Sequence, residues 1–246
     1  MSIWYMATHQ APRPSALPGI AATSTPAQVA LPPQSIEEHA TYYDIETSYP
    51  AQTSLKATAG TKTDAAAVAS MKSFIESTIA DFKREGNFAN LSHDDIQMMG
   101  LDQRKESLVI EFKEQSGAGT ISYLYSIYLD TLGAHPNAFY RTFVFDAKTG
   151  SELTLGNLFL PKTAYLARLS ALSREKLMAS LGEMADADYI KDGTKPETDS
   201  FQSFSIDGAN LVLTFPPYQV APYAAGTQTV SIPFADLADI LKPAYR

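Results

Sequence analysis

The run LVLTFPPYQVAPYAAG, residues 211–226, limits the fold more than any other stretch. Leu211, Leu213 and Phe215 recur at every second position, the period that puts side chains on one face of a β-strand. Pro216 and Pro217 then remove two backbone donors and fix φ, so the ladder cannot continue through them. The chain must therefore end a strand here and turn at once, with Tyr218, Gln219 and Tyr223 on the loop that results. From Gly208 to Ala235 there is no Asp, Glu, Lys or Arg. An uncharged loop of this kind is either packed on its own core or presented to a partner. Tyrosine, with an apolar ring and a polar hydroxyl, suits both.

Other periodicities supply the remaining elements. Residues 42–50 read as a strand ending at proline. Residues 51–62 are small and polar and read as a loop. Asp64 is placed to cap a helix reaching about Glu85, with Val68, Met71, Ile75, Ile79 and Phe82 on one face. Residues 88–106 read as an irregular polar connector. Strands are expected at 108–114, 120–129 and 139–145, the first two joined by a hairpin at Ser116–Gly119. A second helix is expected from Pro161 to about Leu181, and a short acidic helical turn at 184–192. A further hairpin spans 201–206 and 210–215, followed by a strand at 228–233 and a short closing helix at 234–241. The fold class is α+β: antiparallel sheets with two main amphipathic helices packed on them. Residues 1–36 hold six of the fifteen prolines and one charge, Arg13, and read as a disordered leader or tether. The remainder divides into an αβ subdomain, 37–131, and a C-terminal subdomain, 132–246, packed together as one unit.

The net charge of −8 argues against nucleic acid and anionic lipid as partners. With no cysteine, the chain has no disulfide, thiol nucleophile or Cys-type zinc site. No segment reaches the ~18 apolar residues of a membrane-spanning helix. The first ten residues lack the basic region of a standard signal peptide, so an export signal is not visible.

Motifs for chemistry are missing. There is no Gly-x-Ser-x-Gly elbow and no phosphate-binding glycine loop. His9, His39, His93 and His135 are scattered, with no metal-ligand spacing. Asp44, Asp130, Asp146 and Asp207 fall at strand ends or turns, where turn chemistry accounts for them. His135 is the histidine in a distinctive setting, the loop Gly133-Ala134-His135-Pro136-Asn137 between two strong strands. There it could act as a base, a ligand or a donor that organises the loop.

Two stretches together carry a family resemblance. One is Leu132 to Asn137 with FVFDAKTGSELTLGNLF, residues 143–159; the other is FPPYQVAPYAAG, residues 215–226, followed by VSIP. They resemble the RsiV-like family of unknown function, found in the extracellular part of the anti-sigma-V factor RsiV and ahead of the catalytic domain in some peptidoglycan deacetylases. The resemblance implies an α+β fold and a periplasmic or cell-surface location. It implies no catalytic residue, metal or cofactor; in the RsiV branch the domain binds lysozyme. The family's loop reads Gly-Gly-Ala-His-Gly, whereas Leu132 and Pro136 stand at two of those glycines here.

The reading that follows is a non-catalytic extracytoplasmic binding or sensing domain, facing cell-wall glycan or a wall-directed protein such as lysozyme. Its expected contact surface comprises His135, Asn137, Tyr218, Gln219 and Tyr223. The alternatives are a cell-envelope hydrolase whose carboxylates gather only in three dimensions, and a structural or protein-interaction module.

Overall fold

Met71, Ile75, Ile79 and Phe82 recur at three- and four-residue spacing, and that stripe is the buried face of helix α2 (Thr61–Gly86) in the computed structural model. Removing each such side chain from water is worth about 1.5–3 kcal/mol. The structure describes residues 31–246. Most of the expected leader, residues 1–30, lies outside the described residues, and Gln34 to Ile36 belong to strand β1 (Gln34–His39).

Asp64 does not cap α2. The N-cap is Gly60, and Asp64 sits in the first turn, 6% exposed. Its carboxylate accepts from the Thr53 N–H at 2.6 Å and the Thr53 hydroxyl at 2.8 Å. This draws the expected loop 51–62 onto the helix, and a single helical turn, α1 (Leu55–Thr58), forms within it.

The stripe of α2 packs on a five-stranded sheet of order β1-β2-β3-β4-β5, with β2 (Tyr43–Tyr49), β3 (Glu106–Gly117), β4 (Thr120–Asp130) and β5 (Asn137–Asp146). Its partners there include Ile45, Leu108, Ile110, Tyr125, Ile127 and Phe143. Neighbouring strands are antiparallel except β2 and β3, which run parallel. That departure from an all-antiparallel reading follows from the connection, since a crossover carrying a helix brings the chain back to the end where β2 began. The connector 88–106 is also more regular than expected. It holds α3 (His93–Met99), closed by a reciprocal capping box. The Ser92 hydroxyl accepts from the Asp95 N–H at 3.1 Å, and the Asp95 carboxylate accepts from the Ser92 N–H at 2.9 Å. The hairpin joining β3 to β4 turns on Ala118 and Gly119, both at positive φ, as a two-residue type I′ turn requires.

The second half of the chain builds a three-stranded antiparallel sheet, β6 (Phe204–Asp207), β7 (Asn210–Phe215) and β8 (Gln228–Pro233). Helices α4 (Tyr165–Leu181) and α5 (Ala187–Gly193) share a core with it through Leu169, Leu177, Leu181 and Ile190. Helix α4 begins at Tyr165 and not at Pro161, because Lys162 takes a left-handed φ of 64° and breaks the helical path. The expected closing helix is a single 3₁₀ turn, Phe234–Leu237.

The two sheets are seamed together along β6. Its Ile206 N–H donates to the Ser122 hydroxyl of β4 at 3.1 Å, and the Gly208 N–H just beyond it donates to the Ser116 carbonyl of β3 at 3.0 Å. Here glycine is required by space: a Cβ on Gly117 would overlap the backbone of Gly208. None of the described helices is long and apolar enough to cross a membrane.

Candidate functional site

The loop between β4 and β5 is shaped first by Asp130. Its Oδ1 accepts from the Leu132 N–H at 2.9 Å, a local bond of the Asx type. Leu132 takes a φ of 59°, the left-handed region that glycine enters freely and leucine does not. The chain then brings His135 against its own next residue, with Nδ1 at 3.0 Å from the Pro136 carbonyl. A carbonyl oxygen only accepts, so in the neutral ring Nδ1 carries the hydrogen and Nε2 is the acceptor. Nε2 receives the Tyr218 hydroxyl at 2.9 Å. The Pro136 carbonyl also accepts from the Tyr223 hydroxyl at 3.0 Å.

The loop after β7 is shaped by its prolines. The Gln219 N–H donates to the Pro216 carbonyl at 3.1 Å and closes a four-residue turn. Pro217, second in the turn, holds φ near −65°. Tyr218, third, lies at φ 71°. That combination is a type II turn, whose third position glycine normally fills. A bulky residue there carries strain of order 1–2 kcal/mol. Tyr218 nonetheless stands 52% exposed.

Three of the five expected site residues thus converge. The His135 ring stacks on Tyr223, centroids 3.8 Å apart and planes at 19°. Tyr218 lies 5.7 Å from His135 and 5.6 Å from Tyr223, both tilted. The other two are placed differently. The Gln219 amide nitrogen donates to the Gly193 carbonyl at 3.0 Å and the Ser200 carbonyl at 2.9 Å, so it ties the turn to α5 and the chain beyond it. Asn137 is half-buried at the start of β5, opposite Leu129, with no side-chain hydrogen bond among the described residues.

An acidic groove flanks the cluster. Asp186, Asp188, Tyr189, Asp192, Gly193, Tyr218 and Gln219 line an open groove of ≈ 550 Å³. The Asp186 carboxylate caps α5, accepting from the N–H groups of Asp188 and Tyr189 at 2.9 Å each. The Tyr189 hydroxyl donates to the Tyr218 carbonyl at 2.9 Å and so props the strained residue from below. Gly193 permits the close approach, since a Cβ there would overlap the Gln219 carbonyl. The sequence signal for this wall is the acidic helical turn expected at 184–192.

The candidate carboxylates are held apart, each by its own partners. Asp44 pairs with His39 at 3.0 Å and Lys105 at 3.1 Å. Asp130 pairs with Arg104 at 3.5 Å, and Asp207 accepts from Gln115 at 3.1 Å. Asp146 accepts from the Lys148 and Thr149 N–H groups and from the Tyr245 hydroxyl. Turn chemistry therefore accounts for Asp130 and Asp146, while Asp44 and Asp207 are fixed by contacts across the sheet and the seam. Among the described residues no group of three or more His, Asp or Glu is placed to hold a metal ion.

Comparison with known proteins places part of this chain in context. Residues 156–235 match the family described as "Protein of unknown function (DUF3298)". The chain is 27% identical over 176 residues to the peptidoglycan-N-acetylmuramic acid deacetylase PdaC of Bacillus subtilis, covering 71% of this chain and 36% of that protein. It is 25% identical over 119 residues to an esterase of Mycobacterium tuberculosis, Rv3036c, covering 48% and 51% respectively. It thus spans from about a third to about half of the length of these relatives. Two crystal structures share the fold. A DUF3298 family protein from Pseudomonas aeruginosa PAO1 matches with a TM-score of 0.56 at 18% identity, over 87% of this chain and 96% of that one. A DUF3298 member from Bacteroides fragilis matches with a TM-score of 0.57 at 18% identity, over 87% and 93%.

Proposed function

We propose that this protein is a non-catalytic binding or sensing module of the cell envelope, exported from the cytoplasm, that contacts cell-wall glycan through the cluster of His135, Tyr218 and Tyr223. The observation that carries the reading is Tyr218, an exposed aromatic ring held where a glycine would be less strained. Strain of this kind persists where the surroundings enforce it, and it gathers at functional sites. An exposed tyrosine beside a stacked His–Tyr pair offers an apolar surface edged by hydroxyls, which suits the alternating C–H and O–H faces of a sugar ring. Similarity to a peptidoglycan deacetylase over most of the chain's length supports a wall setting.

A second reading, a basic wall-directed protein such as lysozyme, is favoured by the groove next to Tyr218. Asp186, Asp188 and Asp192 line it with no basic residue among the lining side chains. Sedimentation with insoluble peptidoglycan and capture on immobilised lysozyme separate the two. The glycan reading expects co-sedimentation that persists in salt and is abolished in a variant carrying His135→Ala, Tyr218→Ala and Tyr223→Ala. The protein reading expects capture that salt weakens. Unchanged binding of both ligands by the triple variant would refute the proposed surface.

A further inference from the structure

Strand β3 opens on a charged residue in a buried position. The alternation that turns Leu108 and Ile110 toward α2 puts Glu106 on the same face, 3% exposed. Its backbone N–H is satisfied by the Tyr42 carbonyl at 3.0 Å. Its carboxyl group has no hydrogen-bond or ion-pair partner among the described residues. Instead it borders a cavity of ≈ 200 Å³ lined by Phe82, Glu85, Gly86, Met99, Leu129 and Thr131.

The charged side chains that line this cavity are both carboxylates. The cavity lies at the C-terminal end of α2, where the last carbonyls concentrate the negative end of the helix dipole. Glu85 adds a second carboxylate to the wall. The chain's own cations nearby are engaged elsewhere: Lys83 with Glu38, Arg84 with Asp81, Arg104 with Asp130 and Lys105 with Asp44. Arg84 also approaches Glu85, but only at 3.7 Å. An unpaired carboxylate in a buried position beside a helix C-terminus is unfavourable unless it takes up a proton or a cation meets it.

We infer that this cavity binds a primary ammonium group on a short aliphatic stem, with the ammonium on Glu106 and the stem against Phe82, Met99 and Leu129. The apolar walls disfavour a bare metal ion, which needs a shell of several oxygen ligands. The volume, equal to that of about six or seven waters, admits the end of a lysine side chain or a small alkylamine. Burial, with the charge of Asp130 adding to it, holds the Glu106 carboxyl above the usual carboxylate range, so a bound ammonium would also displace a proton.

The test is a chemical-shift titration of the full chain at neutral pH with n-butylamine, 1-butanol and an Nα-acetyl-lysine amide. Saturable shifts at the Leu129 and Met99 methyls are expected with n-butylamine. Binding of 1-butanol, and of n-butylamine to Glu106→Gln, should be at least about tenfold weaker. Shifts with the blocked lysine as well would identify a peptide-borne amine as an admissible source; shifts with n-butylamine alone would point to a free amine. Either result supports the site. No saturable shift with either amine, equal binding of 1-butanol, or undiminished binding by Glu106→Gln overturns it. His135→Ala should leave this titration unchanged, so failure of the glycan surface and failure of this site are read separately.

Discussion

Replacing Tyr218 by glycine and, separately, by alanine isolates the strain of its turn from the chemistry of its ring. Both substitutions remove the hydroxyl that donates to His135, a bond worth about 1 kcal/mol. Both remove the ring beside Tyr223. Alanine keeps a Cβ at φ 71° and with it a strain of about 1–2 kcal/mol. Glycine relieves that strain but adds unfolded-state freedom that returns about 0.4–1 kcal/mol. The balance leaves the glycine variant more stable than the alanine variant by about 0.5–1 kcal/mol, a difference in Tm of about 2 °C for a chain of this size. Urea melts followed by far-UV circular dichroism, with m-values compared to exclude a change in the unfolded state, measure it directly. An alanine variant as stable as the glycine variant, or more so, would refute the claim that Tyr218 is strained. In the same pair of proteins, wall binding should be lost alike, because the ring is gone from both.

Three further outcomes follow from buried groups and one close contact. Tyr125 is wholly buried between Phe74, Phe112 and Phe143, and its hydroxyl has no partner among the described residues; burial pushes its pKa up. Tyr125→Phe is therefore expected to stabilise the fold by about 1 kcal/mol in urea melts. Glu106 is raised from its ordinary 4.5 by burial first and by the charge of Asp130 second. The folded state then holds the proton more tightly, so stability is full below the ordinary value and falls as pH rises toward the raised one. Glu106→Gln should remove that decline and melt higher than the parent at pH 7, with the two curves converging near pH 4; parallel curves would contradict the assignment. Gly193→Ala forces α5 away from the Gln219 carbonyl, at a cost of about 1–3 kcal/mol, and should weaken wall binding by loosening the support of Tyr218.

Period and turn chemistry made most of the fold legible. The stripe from Met71 to Phe82 and the strand ending at Phe215 read directly, and the hairpin expected at Ser116–Gly119 turns one residue later, between Gly117 and Thr120. What escaped depends on contacts between distant residues. Asp64 carries a residue type that caps helices, yet Thr53, eleven positions earlier, claims its carboxylate. The parallel pairing of β2 with β3 is decided by where the crossover returns, which no local pattern encodes. The meeting of His135 with Tyr218 spans 83 positions, and their grouping was reached through two proline-bearing, uncharged loops. Gln219 is expected on the contact surface, whereas its amide closes onto two carbonyls that only the folded chain supplies. The groove wall built by α5 escaped for a related reason, because an acidic run reads as a solvated face until something packs beside it.

The seam between the sheets bears on what can be cut out of this protein. The core of the second sheet draws on Val144, Leu155, Leu237, Leu241 and Tyr245, all outside the matched stretch 156–235. Strand β6 is anchored at Ser116 and Ser122, still further upstream. A fragment trimmed to the matched stretch would bare apolar surface and leave β6 as an open edge, the conditions for aggregation. The portable cassette, for grafting onto another protein or for crystallisation with a ligand, is therefore the whole span from β1 to the C-terminal turn at Tyr245, and the stretch that sequence comparison detects is only its most recognisable part.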